Sequence, residues 1–374
     1  MWAPVTALCL KHTQPITSRG GARTSGTFLY VAWGSNQNPG DRTRRLDRRR
    51  LLGLAAVVGS SGLLAGCVVS DPAISGGPGT PPQIPIPTPA LDGALTAYGL
   101  ELALAGQLGA LLALPGLPAG QRSRLQLVQA GHQRHAIAMA GPDPTNRSTT
   151  QPTPAPSGGD TTLPGLGSDP ARALTMLTQQ EGGAARFYRR CALASLGPTA
   201  LLWGSLSAAA QQAGAAIAQT SPVTTSPARA PAPLPTVSDT EAAQQLLAQL
   251  HAVVWGYRRS MSALPRTGAA FARAASSLAQ RMGLRDQITA LLSQRGASVP
   301  AAKPAYRMPA DPNTEAHVAN ALMTMEQALL PYAGQWLGSA ATTQVTPALT
   351  ALSDSGLAAV GWGAPPSTWP GWPD

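Results

Sequence analysis

Charged, aromatic and cysteine residues are all scarce in this chain of 374 residues. Charged residues make up 12 % and aromatic residues 5 % of the sequence, and there are three cysteines. The net charge of +10 is concentrated at the start, because residues 1–50 contain nine basic and two acidic side chains. The rest of the chain is close to neutral and lacks the excess of basic residues that DNA- or RNA-binding proteins use. Nucleic acid is therefore excluded as a predicted partner.

Sequence motifs of common enzyme sites are also absent. The sequence contains no Gly-rich phosphate loop, no nucleophile elbow, no His-Glu-x-x-His and no paired-cysteine metal motif. Enzyme activity therefore has no support from motifs. We expect a protein that is not an enzyme, with a metal-dependent oxidoreductase as the alternative.

Residues 41–66 have the pattern of an export signal. Arg48 and Arg49 precede Leu51 and Leu52, and an apolar stretch of 16 residues begins there. Paired arginines before two leucines fit the twin-arginine type of signal. Because crossing a hydrocarbon core takes about 20 residues, this stretch is predicted to be cleaved rather than kept.

The leader ends in Leu64, Ala65, Gly66 and Cys67, which resemble the lipobox of bacterial lipoproteins. In such proteins the cysteine thiol receives a diacylglycerol and becomes the new N-terminus. Two acyl chains on Cys67 suffice for stable anchoring, since each buried methylene adds about 0.8 kcal/mol. We therefore expect a protein anchored by lipid to the outer face of the plasma membrane. Its predicted partners are that membrane and an unidentified envelope protein or small ligand.

Residues 1–40 do not fit the signal pattern. A twin-arginine signal normally begins a few residues before its arginines, and no methionine lies between Met1 and Met139. We interpret residues 1–40 as structureless. An alternative start codon near Val31 or Arg42, which would leave them untranslated, is a further hypothesis.

Three segments rich in Pro, with Gly, Ser or Thr, divide the exported part of the chain. They are a spacer at 67–90, an insert at 141–167 and a linker at 220–237. This composition predicts extended or disordered chain. The predicted domains are then 91–219, which contains the insert, and 238–374.

Apolar residues outside these segments recur at helical spacing, and no segment shows convincing strand alternation. Ser238 and Glu241 form a capping box before one helix, and Asp311 with Pro312 is predicted to begin another. One stripe consists of Phe271, Ala275, Leu278 and Met282, continued by Ile288, Leu291 and Leu292. The most regular stripe consists of Val318, Leu322, Met325, Leu329, Tyr332 and Trp336. The predicted fold is all-α, with two ferritin-like antiparallel four-helix bundles joined by Pro/Ser/Thr-rich linkers.

Several short segments of the C-terminal domain match the pattern of a known family. They are LHAVVWGY at 250–257, LRD at 284–286 followed by Leu291 and Leu292, AYRMP at 305–309, Met325 and Glu326 with Tyr332, and WPG at 369–371. Over about residues 238–374 the chain resembles the actinobacterial ferritin-like domain of unknown function 4439. The resemblance implies a helical bundle without an established activity. It also implies that Glu is common at the position of Leu250 and His at that of Arg281, and both are replaced here.

A ferritin-like di-iron centre takes a Glu from each of two helices and Glu-x-x-His from two others, and no Glu-x-x-His occurs in this chain. The best remaining set would suit zinc or a single iron and consists of Glu101, His132, His135 and Glu181. Against it, the fourth helix of that bundle has no Asp, Glu or His, and Gly182 with Gly183 weakens the helix that carries Glu181. Ligand counting therefore predicts no bound metal and no cofactor, with these side chains satisfied by one another.

His251 and Glu326 lie beside apolar stripes of the C-terminal domain. Two ligands do not hold a metal, so a buried hydrogen-bonded pair is the preferred interpretation. The leading hypothesis is a non-catalytic binding or scaffolding module of the cell envelope. The alternative is a metal-binding or redox bundle that uses the four-residue set.

Overall fold

The computed structural model describes residues 93–140, 163–220, 223 and 234–372. These residues contain eight α-helices, one short 3₁₀ helix and no strand, which confirms the predicted all-α class for this part of the chain. The leader with its arginines, the lipobox with Cys67, the spacer and most of the insert lie outside the described residues.

The helices follow one another along the chain with mostly short connections. A 3₁₀ helix at Thr342–Gln344 leads into the last of them. In chain order they are α1 (Ala94–Ala113), α2 (Ala119–Ala140), α3 (Pro170–Leu193), α4 (Gly197–Ile217), α5 (Asp239–Met261), α6 (Ala269–Gln294), α7 (Glu315–Ser339) and α8 (Val345–Gly361).

Side-chain caps define where α5 and α7 begin. Oγ of Ser238 accepts a hydrogen bond from the amide of Glu241 (3.1 Å), which confirms the predicted cap of α5. The predicted start of α7 at Asp311 is wrong, because Thr314 is its N-cap and accepts from the amide of His317 (3.2 Å). The carbonyl of Thr314 also accepts the first intrahelical bond, from Val318 (2.8 Å). Thr314 therefore satisfies the first turn.

The buried face agrees with the predicted stripe in α7 and differs from it in the first part of α6. All six residues of the α7 stripe are buried. In the C-terminal part of the predicted α6 stripe Ile288 and Leu292 are buried, as expected. In its first part Phe271, Ala275, Leu278 and Met282 are only half-buried. There the helix turns Ala274, Ser277 and Arg281 inward and brings Arg281 to an acidic partner.

Consecutive helices pack as hairpins: α1 on α2, α3 on α4, α5 on α6 and α7 on α8. α4 joins the two halves of the chain, since it contacts α2, α3, α7 and α8 and 15 of its 21 residues are buried. One hydrophobic cluster contains residues of all eight helices. The boundary at 220–237 stays a prediction about folding units.

Glycines allow the closest approaches within this core. A Cβ added at Gly204 of α4 would lie 2.3 Å from Cδ2 of Leu337 on α7. A Cβ at Gly334 would meet the carbonyl oxygen of Gly371 at 2.0 Å. The segment after α8 therefore rests directly on α7, and its Trp369 is buried.

α1 is 20 residues long, and its most apolar window has a mean hydropathy of 1.3. By length and composition alone it is the one helix among the described residues that is able to cross a membrane. Core helices of soluble proteins meet the same criterion. Here α1 turns Glu101 into the interior.

Candidate metal centre

The four residues Glu101, His132, His135 and Glu181, here called the Glu101 centre, meet between α1, α2 and α3. Each is at most 3 % exposed. Nδ1 of His132 lies 2.5 Å from Oε2 of Glu101, and its Nε2 lies 2.8 Å from Oε1 of Glu181. Nδ1 of His135 lies 3.2 Å from the same Oε2 of Glu101. All four candidates from the sequence are therefore brought together.

Helix packing presents these side chains to one another. The two histidines are three residues apart on α2 and share one face of that helix. α3 runs unbroken through Gly182 and Gly183, so the helix that carries Glu181 is continuous in spite of the two glycines. Packing of α3 along α4 outweighs the helix penalty of about 1 kcal/mol for each glycine.

The hydrogen bonds of each imidazole on the side away from Glu101 bear on which ring nitrogens carry protons. Nε2 of His135 lies 2.6 Å from the carbonyl oxygen of Thr368, and a carbonyl only accepts, so Nε2 donates. His132 lies between two carboxylates, Glu101 at Nδ1 and Glu181 at Nε2, so a protonated His132 donates from both ring nitrogens and a neutral one from a single nitrogen. When both imidazoles are neutral with the proton on Nε2, both Nδ1 atoms carry lone pairs.

Three potential ligand atoms lie close together in the interior. Glu101, His132 and His135 each offer one such atom, and these atoms lie within 4.8 Å of one another. Oε2 of Glu101 is 2.5 Å from Nδ1 of His132 and 3.2 Å from Nδ1 of His135. Lone pairs at such distances repel unless a proton or a metal ion lies among them. The arrangement therefore requires a proton or a metal ion among these atoms.

The electrostatics of the centre agree with this requirement. Burial alone would raise the pKa of Glu101, but the charges and hydrogen bonds of His132 and His135 outweigh burial and hold that pKa well below its usual range. Burial would lower the pKa of His132, but Glu181 and Glu101 outweigh it and raise that pKa well above its usual value. Glu101 is therefore a carboxylate, and in the metal-free centre the imidazolium form of His132 is favoured beside it.

Tyr188 fixes the other oxygen of Glu101. Its hydroxyl on α3 donates to Oε1 of Glu101 at 2.5 Å. Burial and the charge of Glu101 raise the pKa of Tyr188 well above its usual value, so the phenol remains a neutral donor. With Oε1 engaged, Oε2 is the atom that faces the histidines.

A cavity of about 20 Å³ borders the centre. Both imidazoles line it, together with small residues of α4 and the segment after α8. A cavity of this size holds about one water molecule. Nearby, Oε2 of Glu181 is buried and has no hydrogen-bond partner among the residues that the structure describes, although a buried polar atom normally has one.

A second buried acid is neutralised in a different way. Glu326 on α7 accepts from Nε of Arg281 at 3.0 and 3.1 Å and from the hydroxyl of Tyr257 at 2.7 Å. These three residues, the Glu326 centre, are at most 1 % exposed. Here a guanidinium supplies the positive charge, so no metal is required.

The predicted pairing of His251 with Glu326 is wrong. Nε2 of His251 lies 3.0 Å from the carbonyl oxygen of Pro300 and donates to it. Burial lowers the pKa of His251, which favours this neutral donor. Glu326 is instead engaged by Arg281, a long side chain that reaches from α6.

Some residues of the two centres carried only weak signals in the sequence. Tyr188 follows Glu181 by seven residues, which is two helical turns along the same face, and this spacing was a usable signal. Arg281 was detectable as a charged residue within an apolar helix. Thr368 contributes a backbone carbonyl, which no residue pattern reveals.

The comparisons with known proteins concern the C-terminal part of the chain. Residues 242–374 match the family model of a domain of unknown function, DUF4439. The predicted match to domain of unknown function 4439 is confirmed over these residues, and the ferritin-like and actinobacterial parts of the resemblance stay predictions. The Glu101 centre lies outside the match, whereas Thr368 lies within it. No curated protein and no solved structure matches the chain.

Proposed function

We propose that this protein binds one divalent transition-metal ion, zinc or ferrous iron, at the Glu101 centre. Oε2 of Glu101 and the Nδ1 atoms of His132 and His135 would hold the ion. Two imidazoles and one carboxylate, with positions left open, form a donor set used for zinc and for non-haem iron. The observation that carries the proposal is the three buried potential ligand atoms, one from each residue, that lie within 4.8 Å of one another.

The hydrogen-bond partners of the other ring nitrogen of each histidine support the same function. Histidines that bind a metal usually donate their other ring N–H to a carboxylate or a backbone carbonyl. His132 donates to Glu181, and His135 donates to the carbonyl of Thr368. Glu181 is thus better described as the group that orients His132 than as a fourth ligand.

Charge balance also favours a divalent ion. Glu101 and Glu181 together carry two negative charges in the interior, where unbalanced charge is strongly disfavoured. Two neutral imidazoles and one divalent ion give a neutral centre. When bound, the ion would supply the positive charge that ties α1 to α2.

A self-contained ion-pair cluster is the second candidate, and the position of His132 between two carboxylates favours it. In that case the centre would stabilise helix packing in a scaffolding module, as ligand counting predicted. That explanation needs a second proton, because Nδ1 of His135 also faces Glu101. A single metal ion satisfies both contacts.

The role we propose is binding rather than catalysis. All four residues of the centre are at most 3 % exposed, and the adjoining cavity has room for about one water molecule. An organic substrate has no space beside the ion. This burial supports a non-catalytic metal-binding module, which combines the two hypotheses drawn from the sequence.

Metal analysis with matched histidine variants tests the proposed function. Purified full-length protein, loaded with zinc or iron and dialysed, should retain about one ion per chain. Replacing His132 and His135 together with Ala should abolish retention. Replacing His251 and His317 with Ala is the control and should leave it unchanged. Well below one ion per chain in the wild type, or equal loss in both double variants, would favour the ion-pair cluster.

Export and lipid anchoring remain part of the proposed function and rest on the leader alone. Cys67→Ala should move the protein from the membrane fraction to the medium or leave an unprocessed precursor. Cys191→Ala is the matched control, since Cys191 is buried in the helical core and has no place in the anchor. Unchanged membrane association of a mature-sized Cys67→Ala protein would contradict anchoring.

A further inference from the structure

The segment after α8, residues 364–372, extends from the C-terminal region to the Glu101 centre and is here called the strap. Its path is fixed by two other helices. The amide of Ser367 donates to Oε1 of Gln212 on α4 at 2.8 Å, and Gly371 rests on Gly334 of α7. The strap is therefore held in one position beside α2 and α4.

Two consecutive strap residues contact the ring of His135. The carbonyl oxygen of Thr368 accepts from Nε2 at 2.6 Å. The indole of Trp369 packs edge-on against the imidazole, with 4.7 Å between ring centroids and an interplanar angle of 69°. Together these contacts restrict both the rotation of the ring and the nitrogen that carries its proton.

We infer that the strap is a positioning element of the metal centre, which holds His135 with its Nδ1 lone pair directed at Glu101. The inference rests on the proposed function and specifies which part of the chain completes that site. The strap lies in the region that matches DUF4439, whereas the metal-binding side chains lie on helices before it. The C-terminal region would thus contribute to binding without supplying a ligand.

Trp372 provides a comparison within the strap itself. Trp369 and Trp372 are 7 % and 5 % exposed, so both bury an indole in the core. Of these two tryptophans, Trp369 has a ring contact with His135, and Trp372 has none with any described residue. If the strap merely covers the core, the two tryptophans are equivalent. If it positions His135, Trp369 alone affects the centre.

The test compares Trp369→Ala with Trp372→Ala in the full-length protein. Zinc affinity is measured by competition with a chromophoric chelator, and the His135 tautomer by long-range ¹H–¹⁵N NMR of the metal-free protein. In the wild type we expect the proton on Nε2. Trp369→Ala should weaken zinc binding about 10- to 100-fold, as loss of groups that orient a ligand typically does, and should mix the tautomers. Trp372→Ala should leave both readouts near wild type at a similar loss of thermal stability.

Equal effects of the two substitutions on zinc affinity and on the tautomer would overturn the inference. If either variant fails to fold, Trp369→Phe and Trp372→Phe replace the pair and are judged in the same way. If the wild type binds no zinc, the proposed function fails, and the His135 tautomer alone then tests whether the strap positions the ring. A proton on Nε2 in the wild type that moves in the Trp369 variant and not in the Trp372 variant would still support positioning. Any other distribution of the proton among the three proteins would contradict it.

Discussion

Buried carboxylates dominate the chemistry of single residues in this protein. Glu101 and Glu326 both lie in the core, and each accepts a hydrogen bond from a tyrosine hydroxyl. Each also contacts a nitrogen-containing side chain, and the two centres differ in the type of that side chain. Arg281 is permanently charged and neutralises Glu326, whereas imidazoles gain charge only by binding a proton or leave their lone pair for a metal.

Glu326→Gln should strongly destabilise the protein. The substitution leaves the guanidinium of Arg281 buried without a counter-charge, which typically lowers the free energy of unfolding by about 3–5 kcal/mol. Asp286→Asn is the control, because its ion pair with Arg285 is exposed and should contribute at most about 1 kcal/mol. Urea unfolding of both variants measures the difference. Equal, small losses would show that the buried pair is unimportant.

Stability should fall at alkaline pH through Tyr257. Burial, followed by the charge of Glu326, raises the pKa of Tyr257 well above its usual value of 10.0. As pH rises past about 10, the unfolded chain releases this proton and the folded chain retains it, so unfolding becomes easier by up to about 1.4 kcal/mol per pH unit. Tyr257→Phe should show a flatter decline in urea unfolding between pH 9 and 11. Identical slopes would be inconsistent with the raised pKa.

The Glu101 centre was partly predictable from the residues. Helical spacing placed His132 and His135 on one face, and acids on neighbouring helices were the available partners. The sequence does not show which acid would bind the proposed ion and which would instead orient a histidine, because Glu101 and Glu181 are the same residue type. That distinction depends on which ring nitrogen each acid contacts.

Among the helices, α4 depends most on small side chains. It lies against α7 and α8 of the other half of the chain, and Gly204 permits the contact with Leu337. A larger side chain at this position would force the helices apart. The join between the two halves is therefore sensitive to a single methyl group.

Gly204→Ala should destabilise the protein by about 1–3 kcal/mol, since the added methyl overpacks the core. Gly106→Ala, at an exposed position of α1 where a Cβ meets nothing within 4 Å, is the matched control. That change should stabilise the protein by about 0.5–1 kcal/mol through helix propensity alone. Thermal melts of the two variants should shift in opposite directions. Shifts of the same sign would contradict the close contact between α4 and α7.

Helix identity was predictable, and helix starts and faces were less so. The α7 stripe repeats by fours and threes, so its buried face followed directly from the sequence. The start of α7 was misplaced because both Asp311 and Thr314 are residue types that cap helices, and tertiary context selects between them. The first half of the α6 face was misjudged, because Ala274, Ser277 and Arg281 are buried there in place of the larger apolar residues, whereas Ile288 and Leu292 are buried as predicted.

The whole chain combines two predicted domains with a shared core. The predicted boundary at 220–237 concerns folding units, and α4 packs across the two halves. Removing residues before 238 would expose the faces of α7 and α8 that α4 covers, including Leu337 and Leu349. The two halves are therefore expected to stabilise each other.

A fragment of residues 238–374 tests this coupling. We expect mostly helical circular dichroism and one thermal transition, because α5 to α8 also pack on one another, but at a lower temperature than in the full chain. The full chain measured under the same conditions is the control. A largely disordered fragment would mean that the eight helices form a single folding unit and that the boundary is wrong.

The central claim is that Glu101, His132 and His135 together hold a metal ion, and X-ray absorption spectroscopy of the zinc-loaded full-length protein tests it most directly. We predict one zinc per chain and a spectrum with multiple scattering from two imidazoles beside oxygen donors. In the variant with Ala at positions 132 and 135 this imidazole signal should disappear. A zinc spectrum without imidazole scattering, or one that is unchanged in the variant, would contradict the claim.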